Sequence, residues 1–321
     1  MGTELHIDLL GGEPLLVPRV IDIGTAVLDR GSQLTLFTNG ALLAEPDCAA
    51  GVAQLQKRGA QVRVSIASLS RQSCNDLSGG ERFEQLLLGL QNPQLDPARL
   101  RIDIMLFPET AQDIGLHLPA LRRRLAAATR VTLGLAFCGG RETGQHVFSS
   151  RDELESALDK IALLAGEAIA GAIRLPLAQR REACHCVYGN ELSVRSDGML
   201  FGCFRMEEPV GTYEPGTLGT TWQRMRRAPQ LASGTAFCAA CPLVNLCGGG
   251  CRSENILSTG LAHEPDCGPW RVRVISELLA EDNVAALEWP AVHLRAEAQR
   301  RGIELPELPH GGRRSLHVIS D

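Results

Sequence analysis

Four of the eleven cysteines fall within fourteen residues, in the run Cys238-Ala-Ala-Cys241-Pro-Leu-Val-Asn-Leu-Cys247-Gly-Gly-Gly-Cys251. Thiolates at such short intervals suit a soft metal or an inorganic cluster, because a Cys-x-x-Cys turn aims two sulfurs back at one point. Pro242 fixes one φ angle, and Gly248 to Gly250 let the backbone pass close to sulfur where a Cβ would clash. The pattern extends in both directions. Upstream stand Cys186, eleven residues, Gly198, four residues and Cys203; downstream, after fifteen residues, stands Cys267. Three chemistries compete for these thiols. Disulfides belong to oxidising compartments, and the sequence shows no secretory signal and is too long to need staples. Zinc accepts four thiolates, and so do iron–sulfur clusters; spacing alone does not separate the two.

The complete order is Cys-x11-Gly-x4-Cys, a gap, Cys-x2-Cys-x5-Cys-x3-Cys, a gap, and Cys. It resembles the SPASM domain of radical S-adenosylmethionine (radical SAM) enzymes at every interval. The resemblance favours iron–sulfur over zinc and implies two auxiliary 4Fe-4S clusters with interleaved ligands. Cys186, Cys203 and Cys251 would hold the first, with Cys184 as its fourth ligand or His185 in its place. Cys238, Cys241, Cys247 and Cys267 would hold the second. Cys48, Cys74 and Cys138 are scattered, and read as small buried hydrophobes.

A second motif stands near the start, where Leu5 to Leu10 runs into Gly11-Gly12-Glu13-Pro14. By itself this is a turn between a strand and a helix. In context, with a helix and then a strand ending in Thr38-Asn39-Gly40, it resembles a radical SAM barrel from its second strand onward. In that family the Gly-Gly-Glu edge holds the amino group of S-adenosylmethionine, a role the resemblance places on Gly11, Gly12 and Glu13. The chemistry is consistent, since a carboxylate and carbonyls at the C-terminal end of a parallel strand bind an ammonium group. The same family uses a Cys-x3-Cys-x2-Cys loop after its first strand, and none of the ten residues before Gly11 is cysteine. The expectation is a degenerate barrel without its first strand and cluster loop.

These motifs need elements to position them. Residues 1–175 alternate between strand and helix signals. Strands are expected at Leu5–Leu10, Gln33–Phe37, Gln61–Ile66, Leu100–Phe107 and Arg130–Ala136. Helices are expected at Leu15–Leu28, Ala49–Arg58, Glu81–Leu90, Leu116–Ala128 and Arg151–Ala165. Such alternation predicts an α/β fold, a partial (β/α) barrel with helices outside a parallel sheet. Residues 180–287 read as a small cysteine-rich domain. It opens on a hairpin, Glu191–Arg195 and Met199–Phe204, with Asp197-Gly198 as a type I′ turn that aims Cys203. A short basic helix follows near Arg224–Arg227, and a longer one at Trp270–Ala286. Residues 288–321 form a tail with one amphipathic segment at Ala291–Arg301.

Composition narrows the partners. The net charge of −5 argues against nucleic acid and anionic membrane as electrostatic partners. No apolar run approaches the ~20 residues of a membrane span. A cytoplasmic protein is expected. The resemblance implies work on ribosomally made peptides or protein side chains, the auxiliary clusters binding substrate or passing electrons. Two readings follow: a partner of a complete radical SAM/SPASM enzyme, as in peptide cassettes of the GeoRSP type, or a radical SAM peptide maturase whose first strand and cluster loop are encoded upstream of Met1. A structural zinc protein is the third reading.

Overall fold

The computed structural model describes residues 5–78, 83–135, 151–169, 191–206, 208–226, 236–239, 249–250, 252–261, 264, 300 and 302. The chain divides into two compact units, Met1–Ala136 with Ser156–Arg174, and Phe137–Glu155 with Leu175–Asp321.

The first unit is built on five parallel strands in the order of the chain: β1 (His6–Leu9), β2 (Gln33–Thr38), β3 (Gln61–Ile66), β4 (Leu100–Leu106) and β5 (Arg130–Leu135). The connections carry α1 (Val20–Asp29), α2 (Pro46–Lys57), α3 (Arg71–Ser78), α4 (Phe83–Leu90) and α5 (Ala111–Arg124). Parallel strands laid side by side in chain order need crossovers that all wind the same way, and right-handed crossovers place their helices on one face. The side chains follow that rule. Leu34 and Leu36, Val62, Val64 and Ile66, Ile102, Ile104 and Leu106, and Val131 and Leu133 make the buried face. Leu55 of α2 packs there with Leu34 and Ala60, flanked by Ile21, Val27 and Leu28 of α1. Each such aliphatic side chain contributes about 1.5–3 kcal/mol by leaving water.

The alternate residues make a polar face: His6 and Asp8, Gln33 and Thr35, Gln61, Arg63 and Ser65, Arg101 and Asp103, Arg130 and Thr132. All five expected strands are present, within a residue or two at their ends. The helices depart further. Leu15–Leu28 is two pieces, a 3-10 turn at Pro14–Leu16 and then α1, because Pro18 has no N–H to continue the ladder. α3 lies in a polar stretch and has no counterpart among the expected helices. α5 begins five residues before the expected Leu116 and carries Pro119 inside it. α6 (Arg151–Ala165) matches its expected span. It reaches α5 closely, since a Cβ on Gly115 would lie 2.7 Å from that of Leu164.

Among the described residues, the second unit holds a three-stranded antiparallel sheet of β6 (Ser193–Val194), β7 (Met199–Phe201) and β8 (Pro209–Thr212). It also holds α7 (Leu218–Arg226), a four-residue α8 (Ala236–Ala239) and α9 (Arg252–Thr259). The hairpin forms where expected, but its turn differs. Arg195 N–H donates to Met199 O at 3.0 Å and Gly198 N–H to Arg195 O at 2.9 Å, with Gly198 at φ 83°. That is a three-residue loop with its glycine in the left-handed position, not a two-residue type I′ turn. Asp197 Oδ1 supports it by accepting from Met199 N–H at 2.9 Å. The expected helices at Trp270–Ala286 and Ala291–Arg301 lie outside the described residues, apart from Arg300.

Candidate functional site

The first candidate site lies at the C-terminal ends of β1 and β2. Gly11 takes φ 137°, a conformation L side chains rarely adopt, and turns the chain out of β1. Both Gly11 and Gly12 are exposed, with open space where a Cβ would stand. Glu13 then folds back over the turn. Its Oε1 accepts from Leu15 N–H at 3.0 Å and from Thr38 Oγ1 at 2.8 Å. Its Oε2 accepts from Asn39 N–H at 2.7 Å. Hydrogen bonds to a carboxylate run about twice as strong as neutral ones, so this one side chain pins the end of β2 to the end of β1. The Thr38-Asn39-Gly40 turn braces itself: Gly40 N–H donates to Thr38 Oγ1 at 3.0 Å and Ala41 N–H to Asn39 Oδ1 at 3.0 Å. Gly40 sits at φ 80° and a Cβ there would come 2.7 Å from Val64. The motif residues Gly11, Gly12 and Glu13 are thus brought to one strand end, with three of about four acceptor positions of the carboxylate in use.

Cys48, on α2, lies beside this turn. Burial pushes its thiol up from the ordinary range, and the carboxylates of Glu13 and Glu45 add to the effect. A neutral, part-buried thiol is packing rather than chemistry, and buried Cys74 reads the same way.

The second candidate site is the pair of cysteine-bearing turns in the second unit. Cys203 lies two residues past the end of β7 and is buried. Its turn is held from several sides: Met206 N–H donates to Cys203 O at 3.0 Å, and Arg195 Nη2 donates to Met206 O at 2.9 Å while its guanidinium stacks 3.8 Å over Phe201. Across from it, Gly249 and Gly250 are buried at φ 77° and 74°, immediately before Cys251 in the chain. Two consecutive left-handed residues demand glycine. The Gly249 carbonyl accepts from Arg252 Nη1 at 3.0 Å and Asn255 Nδ2 at 2.9 Å, both side chains buried on α9. Ser253 Oγ then donates to Arg205 O at 2.9 Å. That bond joins the start of α9, two residues past Cys251, to the turn two residues past Cys203.

Cys238 is buried on α8. Cys184, Cys186, Cys241, Cys247, Cys251, Cys267, His185 and Cys138 lie outside the described residues. Among the described residues, no three histidines, cysteines or carboxylates gather as a metal site. What the described part does provide is buried thiol-bearing backbone with close glycine turns, which fits a thiolate-held cluster.

Motif reading passed over one further group. On the polar face, Asp103 accepts from Arg63 Nε at 2.6 Å, from Arg101 Nε at 2.8 Å and from the Thr132 hydroxyl. The signal was there in the strands themselves. Parallel strands buried on both faces run continuously apolar, whereas Gln61-Val-Arg-Val-Ser-Ile, Arg101-Ile-Asp-Ile and Arg130-Val-Thr-Leu alternate.

No protein-family model matches the chain, and no curated protein matches it. Solved structures share its fold. SuiB of Streptococcus suis, bound to S-adenosylmethionine, is 14% identical, with a TM-score of 0.54 over 82% of this chain and 65% of that one. The protein anSMEcpe, with bound AdoMet, is 13% identical, with a TM-score of 0.57 over 90% of this chain and 85% of that one. A second SuiB structure gives 14% identity and a TM-score of 0.52, over 81% of this chain and 65% of that one. The chain therefore spans just under two thirds of the length of SuiB. The likeness is one of fold, an α/β chain with a parallel sheet covered by helices. Among the described residues no helix is long and apolar enough to cross a membrane.

Proposed function

We propose that this chain is an iron–sulfur protein of the radical SAM/SPASM type that carries two auxiliary 4Fe-4S clusters and takes part in modifying a ribosomally made peptide or a protein side chain. Cys203 and Cys251, with Cys186 and Cys184, hold the first cluster; Cys238, Cys241, Cys247 and Cys267 hold the second. Residues 1–175 form the radical-SAM-like domain, 180–287 the SPASM domain and 288–321 a tail. The observation that carries the reading is the seven-cysteine order, supported by the Ser253–Arg205 bond, whose partners stand two residues after Cys251 and two after Cys203 in the sequence.

S-adenosylmethionine is assigned to the strand-end turn. Glu13 keeps acceptor capacity on Oε2, and the turn around it is already rigid, so an ammonium group meets a carboxylate that needs no reorganisation. When bound to a three-cysteine cluster, S-adenosylmethionine supplies the 5′-deoxyadenosyl radical. These 321 residues contain no Cys-x3-Cys-x2-Cys. We assign that cluster to a complete radical SAM enzyme working as partner.

A second reading places the three-cysteine loop on residues encoded ahead of Met1, making the chain part of a peptide maturase. One observation favours it: among the described residues β1 pairs with β2 alone, and a further strand would satisfy the backbone donors and acceptors of its other edge.

One experiment separates the two. The purified chain, loaded with iron and sulfide and supplied with reductant and S-adenosylmethionine, should make no 5′-deoxyadenosine. Adding a radical SAM protein encoded beside it should restore turnover of a precursor peptide, and the two should co-purify. If the same chain extended upstream makes 5′-deoxyadenosine by itself, the maturase reading holds and the partner reading falls. Zinc in place of iron would remove both.

A further inference from the structure

Arg63, Arg101 and Arg130 stand in register on three neighbouring strands, β3, β4 and β5, on the polar face of the sheet. Adjacent strands lie about 4.8 Å apart, so the three guanidinium stems rise side by side, an arrangement that like-charge repulsion opposes. Asp103 offsets one of the charges. Its carboxylate, 9% exposed, bridges the first two arginines: Arg63 donates to Oδ2 through Nε and Nη2, both at 2.6 Å, and Arg101 donates to Oδ1 through Nε at 2.8 Å. Phe37 backs the Arg63 guanidinium at 4.6 Å. The buried carboxylate thus orients both side chains, while each stays about a third exposed, at 32% and 38%.

The same geometry repeats one strand further on without its anion. Between Arg101 and Arg130 no carboxylate of the described chain intervenes. Both Nη groups of Arg101 and the whole guanidinium of exposed Arg130 make no hydrogen bond or ion pair there. Three guanidinium groups against one carboxylate leave an excess of two positive charges, in a chain whose net charge is −5.

We infer that the Arg101–Arg130 pair is a binding site for a carboxylate brought by a ligand. The class follows from the internal precedent. Asp103 shows that two arginines on adjacent strands at this register span one planar carboxylate, and the guanidinium fork matches that group's two oxygens. The ligand is a small dicarboxylate or a peptide carrying an acidic side chain. Binding here is independent of the iron–sulfur reading.

The test uses the full chain at constant ionic strength. Binding is measured by calorimetry for succinate, for an acetylated and amidated peptide with a single Glu, for its Gln counterpart, and for inorganic phosphate, with chloride as the salt control. Succinate or the Glu peptide should bind, and the stronger of the two identifies the source. The Gln peptide should not bind. Arg130→Gln, which breaks no internal contact, should weaken binding about tenfold, as loss of one charge-assisted pair implies. Arg101→Gln should weaken it at least as much, and Arg19→Gln, exposed elsewhere, should change nothing. The proposal fails if chloride reproduces the effect, if phosphate binds more tightly than either carboxylate probe, or if Arg130→Gln binds as the parent does.

Discussion

The two units are held together by different physics. In the first, the helix-covered face of the sheet is closed by aliphatic side chains that are almost wholly buried, among them Leu34, Leu36, Ile102, Ile104 and Leu106. In the second, the described residues show short strands of two to four residues, a four-residue helix and turns fixed by glycine and side-chain-to-carbonyl bonds. Leu200 and Phe201 are the buried large apolar side chains of its small sheet. Isolated sheets of this length are marginal. The difference teaches where each unit looks for its stability: the sheet in burial of hydrocarbon and, on the function proposed above, the cysteine-bearing turns in the clusters their sulfurs hold.

The largest expected effect follows directly. Stripping metal from the full chain should unfold the second unit and leave the first intact, because structural thiolate centres supply folding free energy on the order of 10 kcal/mol or more. Limited proteolysis should then cut within 180–287 and spare the sheet. Equal resistance with and without metal would break the comparison.

Next comes the converse. Ile104→Ala, at the centre of β4, should cost about 2–5 kcal/mol in denaturant unfolding of the first unit. Iron content per chain should not change. A variant that lost iron in proportion to stability would show the units to be one cooperative body.

The fold of the first unit was legible because its information is periodic. Strands of six or seven residues, separated by helices in strict alternation, announce a parallel sheet, and β2 through β5 fall within a residue or two of expectation. Helix ends were less legible for local reasons: Pro18 divides one helix, and α3 shows no apolar stripe of ordinary length. The Asp197-Gly198 turn was expected in a two-residue loop, but the Asp197 side chain caps Met199 N–H and a wider loop forms. At the strand-end turn the motif itself was legible and its hydrogen-bond partners were not. Nothing in Gly-Gly-Glu-Pro says that Glu13 latches onto Thr38 and Asn39, since those partners come from a strand twenty-five residues on. The arginine row needed strand register, which a sequence does not state.

A smaller effect sharpens the role of that latch. Glu13→Gln keeps the size of the side chain and replaces a charged acceptor by a neutral one. It should cost the first unit about 1–2 kcal/mol, with the iron content of the chain unchanged. Calorimetric unfolding measures the first quantity and metal analysis the second. An unchanged melting temperature would mean that the carboxylate contributes nothing to the joint between β1 and β2.

The smallest effect is chemical. Because burial and two neighbouring carboxylates raise the Cys48 thiol, it stays protonated at neutral pH. Its alkylation should be slower than that of a free cysteine at pH 7. The rate should climb only as the pH passes above the usual thiol range, where the thiolate forms. Mass spectrometry of the peptide containing Cys48 follows it across pH. Rapid modification at neutral pH would mean that Cys48 is not shielded by burial and the Glu13 and Glu45 carboxylates as described.

The most direct test of the central claim is the iron and sulfide bound by single-cysteine variants after anaerobic reconstitution. The parent should hold about eight irons and eight sulfides. Cys203→Ala and Cys251→Ala should each lose the same cluster signal by electron paramagnetic resonance. Cys241→Ala and Cys267→Ala should each lose the other. A parent that takes up two zinc ions and refuses iron, or Cys241 and Cys251 variants that lose the same signal, would contradict the account.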